Sequence, residues 1–211
     1  MSSSFLPMFW TIYGIVMGFM LLLGIGFYVL SSLGFYAMAK RRGIPHPGLA
    51  WLPIGGQAWI IGSLADQYAY LAEGKTKRQR GLLLGLDIGT STVSLCFLVL
   101  LIVAIIKGLT PELMYNELAF APFIMGFLVL YFLLLAMAIV YAVFYYIALY
   151  KVYKSCTPKN ATLYLVLSIV VSVTQPFFVF FSRNKDEGMP SPQPPTGEEP
   201  TQITAPDPAA Q

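Results

Sequence analysis

Charged residues are scarce in this sequence. Asp, Glu, Lys and Arg together make up 11% of its 211 residues, whereas a soluble globular domain carries about 25%. Hydrophobic residues reach 57%, and the mean hydropathy is +0.69. So few charges cannot cover the surface of a soluble domain. The composition therefore excludes a soluble enzyme or binding domain and indicates a protein that lipid surrounds.

Residue types that commonly carry catalysis or bind metals are also rare. There is one histidine, His46, and there are two cysteines, Cys96 in an apolar stretch and Cys156 in a basic loop. Helical spans would hold the two cysteines at different depths, and no histidine accompanies them, so we expect neither a disulfide nor a zinc site. The chain lacks a GxSxG motif, an HExxH motif and a pair of intramembrane aspartates. We therefore expect no catalytic residues, no metal and no cofactor.

Long apolar runs dominate what is present. Three of them exceed the roughly 20 residues that cross a bilayer as a helix. These three are residues 9–39, 82–106 and 119–150. The sequence therefore predicts an all-α, polytopic transmembrane helical bundle of three to four spans, with one broken re-entrant or interfacial segment.

Two shorter apolar segments raise the question of how many spans there are. Residues 49–64 are too few to span comfortably, and Pro53, Gly55 and Gly56 interrupt them. A re-entrant or in-plane segment covered by neighbouring helices fits them better. Residues 162–181 are long enough for a fourth span, although Pro176 interrupts them. If they fold back instead, Arg183 and Lys185 stay on the same side as the other basic residues, and both alternatives remain open.

Basic residues cluster at the ends of the apolar runs. They lie within residues 40–42, 75–80, 151–159 and 183–185, and Lys107 stands alone. The positive-inside rule predicts a multi-pass protein of the cell membrane with its 40–80 loop in the cytoplasm and its N-terminus outside. Because topology accounts for these clusters, we expect no nucleic-acid binding. The run 75–80 is typical of a segment attracted to anionic headgroups, so membrane lipids are the expected partners.

The two halves of the chain resemble each other weakly. Residues 36–40 align with 147–151 at the offset that also aligns Pro47 with Pro158. Each half then has a long helix, a basic end, a proline-containing loop and a broken apolar segment. Parallel duplicated halves would place equivalent segments on the same side of the membrane. Convergence from a shared topology is the alternative.

The second long run carries a polar face. Asp87, Ser91 and Ser94 share one side of a helix at i, i+4 and i+7. A carboxylate at membrane depth indicates a functional site, here a proton or cation site with the two serines as further oxygen ligands. The alternative is structural, because Asp87 lies about two helical turns from Arg80 and could pair with Arg78 or Arg80.

Glycines mark surfaces where helices can approach closely. Gly81, Gly85 and Gly89 recur at every fourth position in the second run, and Gly14 and Gly18 do so in the first. Such spacing is typical of helix–helix contacts in membranes. We therefore expect helix packing, and a homo- or hetero-oligomer, through these glycine faces.

The composition changes after residue 187. Residues 188–211 contain seven prolines and three acidic residues, with almost nothing apolar. A segment of this kind cannot bury enough surface to order itself. The sequence thus predicts a transmembrane domain over residues 1–187 and a disordered, proline-rich acidic tail over residues 188–211.

Several loop motifs carry a resemblance to a known group. They are Arg41–Pro45, Ala50–Ile54, Lys154–Cys156 and Asn184–Pro190. Over most of residues 30–190 the chain resembles a group of uncharacterised multi-pass membrane proteins from anaerobic Gram-positive bacteria. The resemblance implies a bacterial inner-membrane location, and the group carries no assigned activity to transfer.

Three functions fit these observations. The first is a non-enzymatic accessory or scaffold subunit that associates through its glycine faces. The second is a small transporter or channel component whose path follows Asp87, Ser91 and Ser94. The third and weakest is an intramembrane enzyme acting on lipid.

Overall fold

The computed structural model describes residues 5–74, 78–108 and 121–190, and this part of the chain is helical without a strand. Its six helices are α1 (Phe5–Arg41), α2 (Gly56–Glu73), α3 (Gln79–Gly108), α4 (Ala121–Cys156), α5 (Ala161–Val170) and α6 (Gln175–Ser182). Short 3-10 helices cover Pro47–Trp51 and Ser172–Thr174. The prediction of an all-α bundle is confirmed.

Three of the helices are long and apolar enough to cross a membrane. Their candidate spans are Met8–Arg41, Gln79–Ile106 and Ile124–Cys156, and the most apolar 18 residues of each have mean hydropathies of 2.1, 2.5 and 2.7. Even the shortest, at 28 residues, extends about 42 Å at 1.5 Å per residue, which exceeds the roughly 30 Å hydrocarbon core of a bilayer. The chain is therefore a multi-pass membrane protein.

The first broken segment enters the bundle and returns to the end from which it came. After α1, the 3-10 helix packs along α1, and the Tyr28 hydroxyl donates to the carbonyl of Trp51 at 2.7 Å. Tyr28 lies about 20 Å from the end of α1 by helical rise. α2 then runs back until the side-chain amide of Gln67 donates to the carbonyl of Arg42 at 3.2 Å. This first hairpin (residues 44–73) contains the broken segment, re-entrant or in-plane, that the sequence predicts over residues 49–64.

The second broken segment also turns back. α5 packs on α4, where the Tyr153 hydroxyl and Ser168 Oγ lie 3.0 Å apart, and α6 returns beside α1. The backbone N–H of Glu187 then donates to the carbonyl of Cys156, the last residue of α4, at 3.2 Å. This second hairpin (residues 157–187) begins and ends at the same end of α4. Of the two alternatives for residues 162–181, the geometry favours folding back over a fourth crossing.

The two hairpins give the halves of the chain a common arrangement. Each follows a long helix, α1 or α4, and each enters from the end where that helix finishes. Parallel duplicated halves would produce this arrangement. α3 lies outside the repeated pattern and packs between α2 and α4.

The buried core lies at the end of the bundle that the hairpins fill. Its largest fully buried side chains include Phe35, Met38, Ile60, Ile61, Leu64, Leu83, Leu149, Val152, Tyr153 and Val179. Glycines let the helices come close there. A Cβ added at Gly62 of α2 would lie 2.5 Å from the Cα of Arg80, and one added at Gly34 of α1 would lie 2.7 Å from Cγ1 of Val179. Residues 8–26 of α1, by contrast, are exposed.

Arg42 ties three segments together at this end. Its side chain is 4% exposed, and its Nε donates to Oδ1 of Asp186 at 2.9 Å. Its Nη1 donates to Oγ of Ser155 at 2.9 Å, and its Nη2 lies 3.2 Å from Sγ of Cys156. A buried charge is tolerated only when it is paired and hydrogen-bonded. The ends of α1 and α4 are therefore fixed to the loop that follows α6.

The Lys and Arg side chains that the structure describes lie at one end of the bundle, which we call the basic end. They belong to residues 40–42, 78–80, 151–159 and 183–185. The side chain of Lys107, residues 75–77 and most of the tail (residues 191–211) lie outside the described part. The assignment of the basic end to the cytoplasm, and the disorder of the tail, stay predictions.

Candidate functional site

The predicted polar face of α3 borders a cleft at membrane depth. The cleft has a volume of about 750 Å³ and lies between α3, the turn of the first hairpin at Ile54, and Tyr141 of α4. Asp87, Ser91 and Ser94 all line it. The structure therefore brings the three predicted polar residues to one site.

Asp87 is held by the first hairpin. Its Oδ2 accepts the backbone N–H of Gly55 at 2.6 Å, and Tyr141 of α4 lines the same cleft. Gly55 precedes the first residue of α2 and has φ 74°, a conformation that glycine adopts without strain. Asp87 thus lies at the N-terminus of α2, where the helix dipole stabilises a negative charge.

Neither arginine proposed from the sequence pairs with Asp87. Among the described residues, the salt bridges join Arg41 and Arg42 to Asp186. The guanidinium of Arg80 instead lies over the ring of Trp59, 4.3 Å from its centroid. The structural alternative for Asp87 therefore takes a different form, because the partner of its carboxylate is the backbone N–H of Gly55.

Asp66 of α2 is a site residue that the sequence did not single out. Its Oδ1 accepts the N–H of Gln79 at 2.8 Å, and its Oδ2 accepts the N–H of Arg80 at 3.0 Å. Asp66 is 5% exposed, so it caps α3 from inside the bundle. One feature of the sequence points to this role indirectly. Arg78, which precedes α3, is not one of the Ser, Thr, Asp or Asn residues that usually cap a helix, so the cap of α3 has to come from another segment.

The serines of the cleft differ from the neighbouring threonines. Thr90 and Thr92 each donate to the carbonyl four residues earlier, at 2.8 Å. For Ser91 and Ser94 the described part of the chain contains no side-chain hydrogen bond, and both line the cleft. These two hydroxyls are available to a group that enters it.

The glycines do not form one surface. A Cβ at Gly81 or Gly85 would have nothing within 4 Å, whereas one at Gly89 would lie 2.9 Å from Cε of Met137 on α4. Gly14 and Gly18 also face open space, and α1 packs against α2 and α6. The structure does not bring the two glycine groups together within one chain. Their role in an oligomer stays a prediction.

The chemistry of the cleft follows from these groups. It offers one carboxylate that accepts the N–H of Gly55, and two hydroxyls without partners. In residues 5–74, 78–108 and 121–190, no three His, Cys, Asp or Glu side chains group to hold a metal ion. The cleft is suited to holding a polar group within an apolar surrounding.

Comparisons with known proteins found no relatives. No protein-family model matches the chain, and neither the curated proteins nor the solved structures contain a match.

Proposed function

We propose that this protein is a non-enzymatic accessory subunit of a membrane complex and that α3 binds a transmembrane helix of another subunit. The observation that carries the proposal is the pair of unpartnered hydroxyls, Ser91 and Ser94, in an open cleft at membrane depth. A polar side chain in lipid is stabilised by a hydrogen bond from a neighbouring helix. Gly81 and Gly85 lie on the opposite side of α3 by helical periodicity, where the surface is also open and a second helix of the complex can approach closely.

The environment of Asp87 supports a scaffold rather than a proton relay. Its carboxylate accepts the N–H of Gly55, which stabilises the turn of the first hairpin at membrane depth. A relay requires a chain of titratable groups, and the described lining of the cleft contains no second acid or histidine.

Two glycine-to-leucine variants, one of them a control, test the accessory function. Gly85→Leu fills space that nothing in the chain occupies, so it should leave the subunit folded and remove it from the complex. Complex size is measured by light scattering on detergent extracts of native membranes, and folding by thermal unfolding of the purified subunit. Gly24→Leu, at an equally open position of α1 outside the predicted glycine faces, is the matched control. A complex of unchanged size with Gly85→Leu, or an equal loss with Gly24→Leu, would contradict the proposal.

A second candidate is a component of a small transporter or channel. The cleft of about 750 Å³ with a carboxylate on its wall supports it. In liposomes containing the purified protein, Asp87→Asn should abolish a proton or cation flux while expression and oligomeric state persist. A flux equal to that of the unmodified protein would exclude Asp87 from the path.

The proposed location is the cell membrane, with the basic end in the cytoplasm and the N-terminus of α1 outside. The positive-inside rule and the gathering of the described basic residues at one end support this orientation. The resemblance of residues 30–190 to membrane proteins of anaerobic Gram-positive bacteria supports a bacterial inner membrane.

A further inference from the structure

A second cavity lies at the basic end, apart from the cleft on α3. It has a volume of about 460 Å³ and is bounded by the end of α1, by α2 and by the start of α3. Its polar lining includes Trp59, Ser63, Asp66, Gln67, Arg78 and Arg80. Neither the accessory function nor the transport function uses these side chains.

The cavity carries uncompensated positive charge. Neither Arg78 nor Arg80 takes part in a salt bridge within the described chain. Arg42, which also lines the cavity, is neutralised by Asp186. The one carboxylate of the wall, Asp66, accepts two N–H groups at the start of α3. Two guanidinium groups therefore remain for an anion.

Two buried polar atoms in the wall have no partner. Trp59 Nε1 is a donor without an acceptor, and Gln67 Oε1 is an acceptor without a donor. Leaving such atoms unpaired costs about 1–3 kcal/mol each. Both residues line the cavity. Because the two atoms are buried, their side chains must turn toward the cavity to meet a ligand, and a phosphate ester that carries a hydroxyl would then supply an oxygen for the indole N–H and an O–H for the amide oxygen.

The depth of the cavity agrees with this chemistry. Arg78 and Arg80 flank Gln79, the first residue of a helix apolar enough to cross the membrane. The headgroup region lies next to the end of such a helix. The stacking of Arg80 on Trp59, at 4.3 Å, holds one guanidinium at this level.

We propose that this cavity is an anion site that binds a phosphate group through Arg78, Arg80 and Trp59. The phosphate belongs either to an anionic phospholipid headgroup or to a free phosphate ion. The site shares only Gly81 with the open glycine surface of α3, and the arginines and Trp59 that would bind the phosphate have no part in the helix-binding role.

The test uses Trp59 as its own reporter. The full-length chain has three tryptophans, so replacing Trp10 and Trp51 with Phe leaves Trp59 alone. The purified protein in uncharged detergent is titrated separately with phosphatidylglycerol and with inorganic phosphate while Trp59 emission is followed. We expect a saturable change with at least one probe. Saturation by phosphatidylglycerol alone assigns the site to a lipid headgroup, and saturation by inorganic phosphate assigns it to the free ion.

Variants show whether the arginines form the site. Arg78→Gln with Arg80→Gln should raise the dissociation constant about tenfold or more, because each removes a charge-assisted hydrogen bond. Arg78→Gln alone should give a smaller increase while the stack of Arg80 on Trp59 remains. The matched control is Arg183→Gln, since Arg183 also stacks on a ring, that of Phe180 at 3.6 Å, but lies outside the cavity. The proposal is overturned if neither probe saturates, if the double variant binds as tightly as the parent, or if Arg183→Gln weakens binding equally.

Discussion

Asp66 and Asp87 cap each other's helices. Asp66, on α2, accepts the N–H groups of Gln79 and Arg80 at the start of α3. Asp87, on α3, accepts the N–H of Gly55 at the start of α2. Both carboxylates therefore lie where a helix dipole is positive. The exchange fixes the depth at which the first hairpin turns.

This exchange predicts that Asp66 is a major stabilising residue. Asp66→Ala leaves two N–H groups at the start of α3 without an acceptor in a buried place, so we expect a loss of about 2 kcal/mol or more. The midpoint of thermal unfolding in detergent should fall clearly. Asp66→Asn, which can still accept one of the bonds, should fall less. An unchanged midpoint in Asp66→Ala would show that the caps do not contribute.

Much of the fold, but less of the site, follows from the sequence. The three long helices are predictable because length and hydropathy are local properties of the chain. The path of residues 162–181 is not predictable in this way, because the length of the segment favours a fourth span whereas the placement of the basic residues favours folding back. It depends on contacts such as Glu187 to Cys156 that join distant segments. Helical periodicity identifies Ser91 and Ser94 from the sequence. It does not identify Asp66, because Asp66 lies on α2 but caps α3.

The two arginines that pair with Asp186 should contribute unequally. The Arg42 side chain is 4% exposed, whereas that of Arg41 is 33% exposed. Asp186→Ala leaves the Arg42 charge buried and unpaired. Such a loss costs about 3–5 kcal/mol in a fully buried pair and less here, because the Asp186 side chain is 36% exposed. Arg41→Ala removes a solvent-exposed pair worth about 0–1 kcal/mol. Thermal unfolding of the two variants compares these losses directly.

A double variant at the same site tests whether the unpaired charge of Arg42 causes the loss of stability. Arg42→Met combined with Asp186→Leu removes both charges and should recover much of the stability lost in Asp186→Ala, because apolar residues can replace a buried ion pair. A double variant no more stable than Asp186→Ala would mean that the charge of Arg42 does not cause the loss.

Gly188 is expected to hold the second hairpin against α4. Its N–H donates to the carbonyl of Ser155 at 3.2 Å, next to the Glu187 bond. A Cβ added at Gly188 would lie 2.0 Å from the carbonyl oxygen of Lys154. Gly188→Ala should therefore displace this loop and lower the unfolding midpoint. Gly48→Ala, where nothing lies within 4 Å, is the control that should leave the midpoint unchanged.

The return of the second hairpin predicts that the tail and the first hairpin face the same side of the membrane. Cysteines are introduced one at a time at Ala72, which is exposed at the end of α2, and at Gln193. The background is Cys96→Ala, because Cys96 is exposed and Cys156 is buried. A membrane-impermeant maleimide should label both positions in inside-out vesicles and neither in intact cells. Labelling of Gln193→Cys alone from outside intact cells would mean that residues 162–181 cross the membrane and that the bond between Glu187 and Cys156 does not form there. Labelling of both from outside would keep the hairpin and reverse the orientation, because the two positions would still share one side.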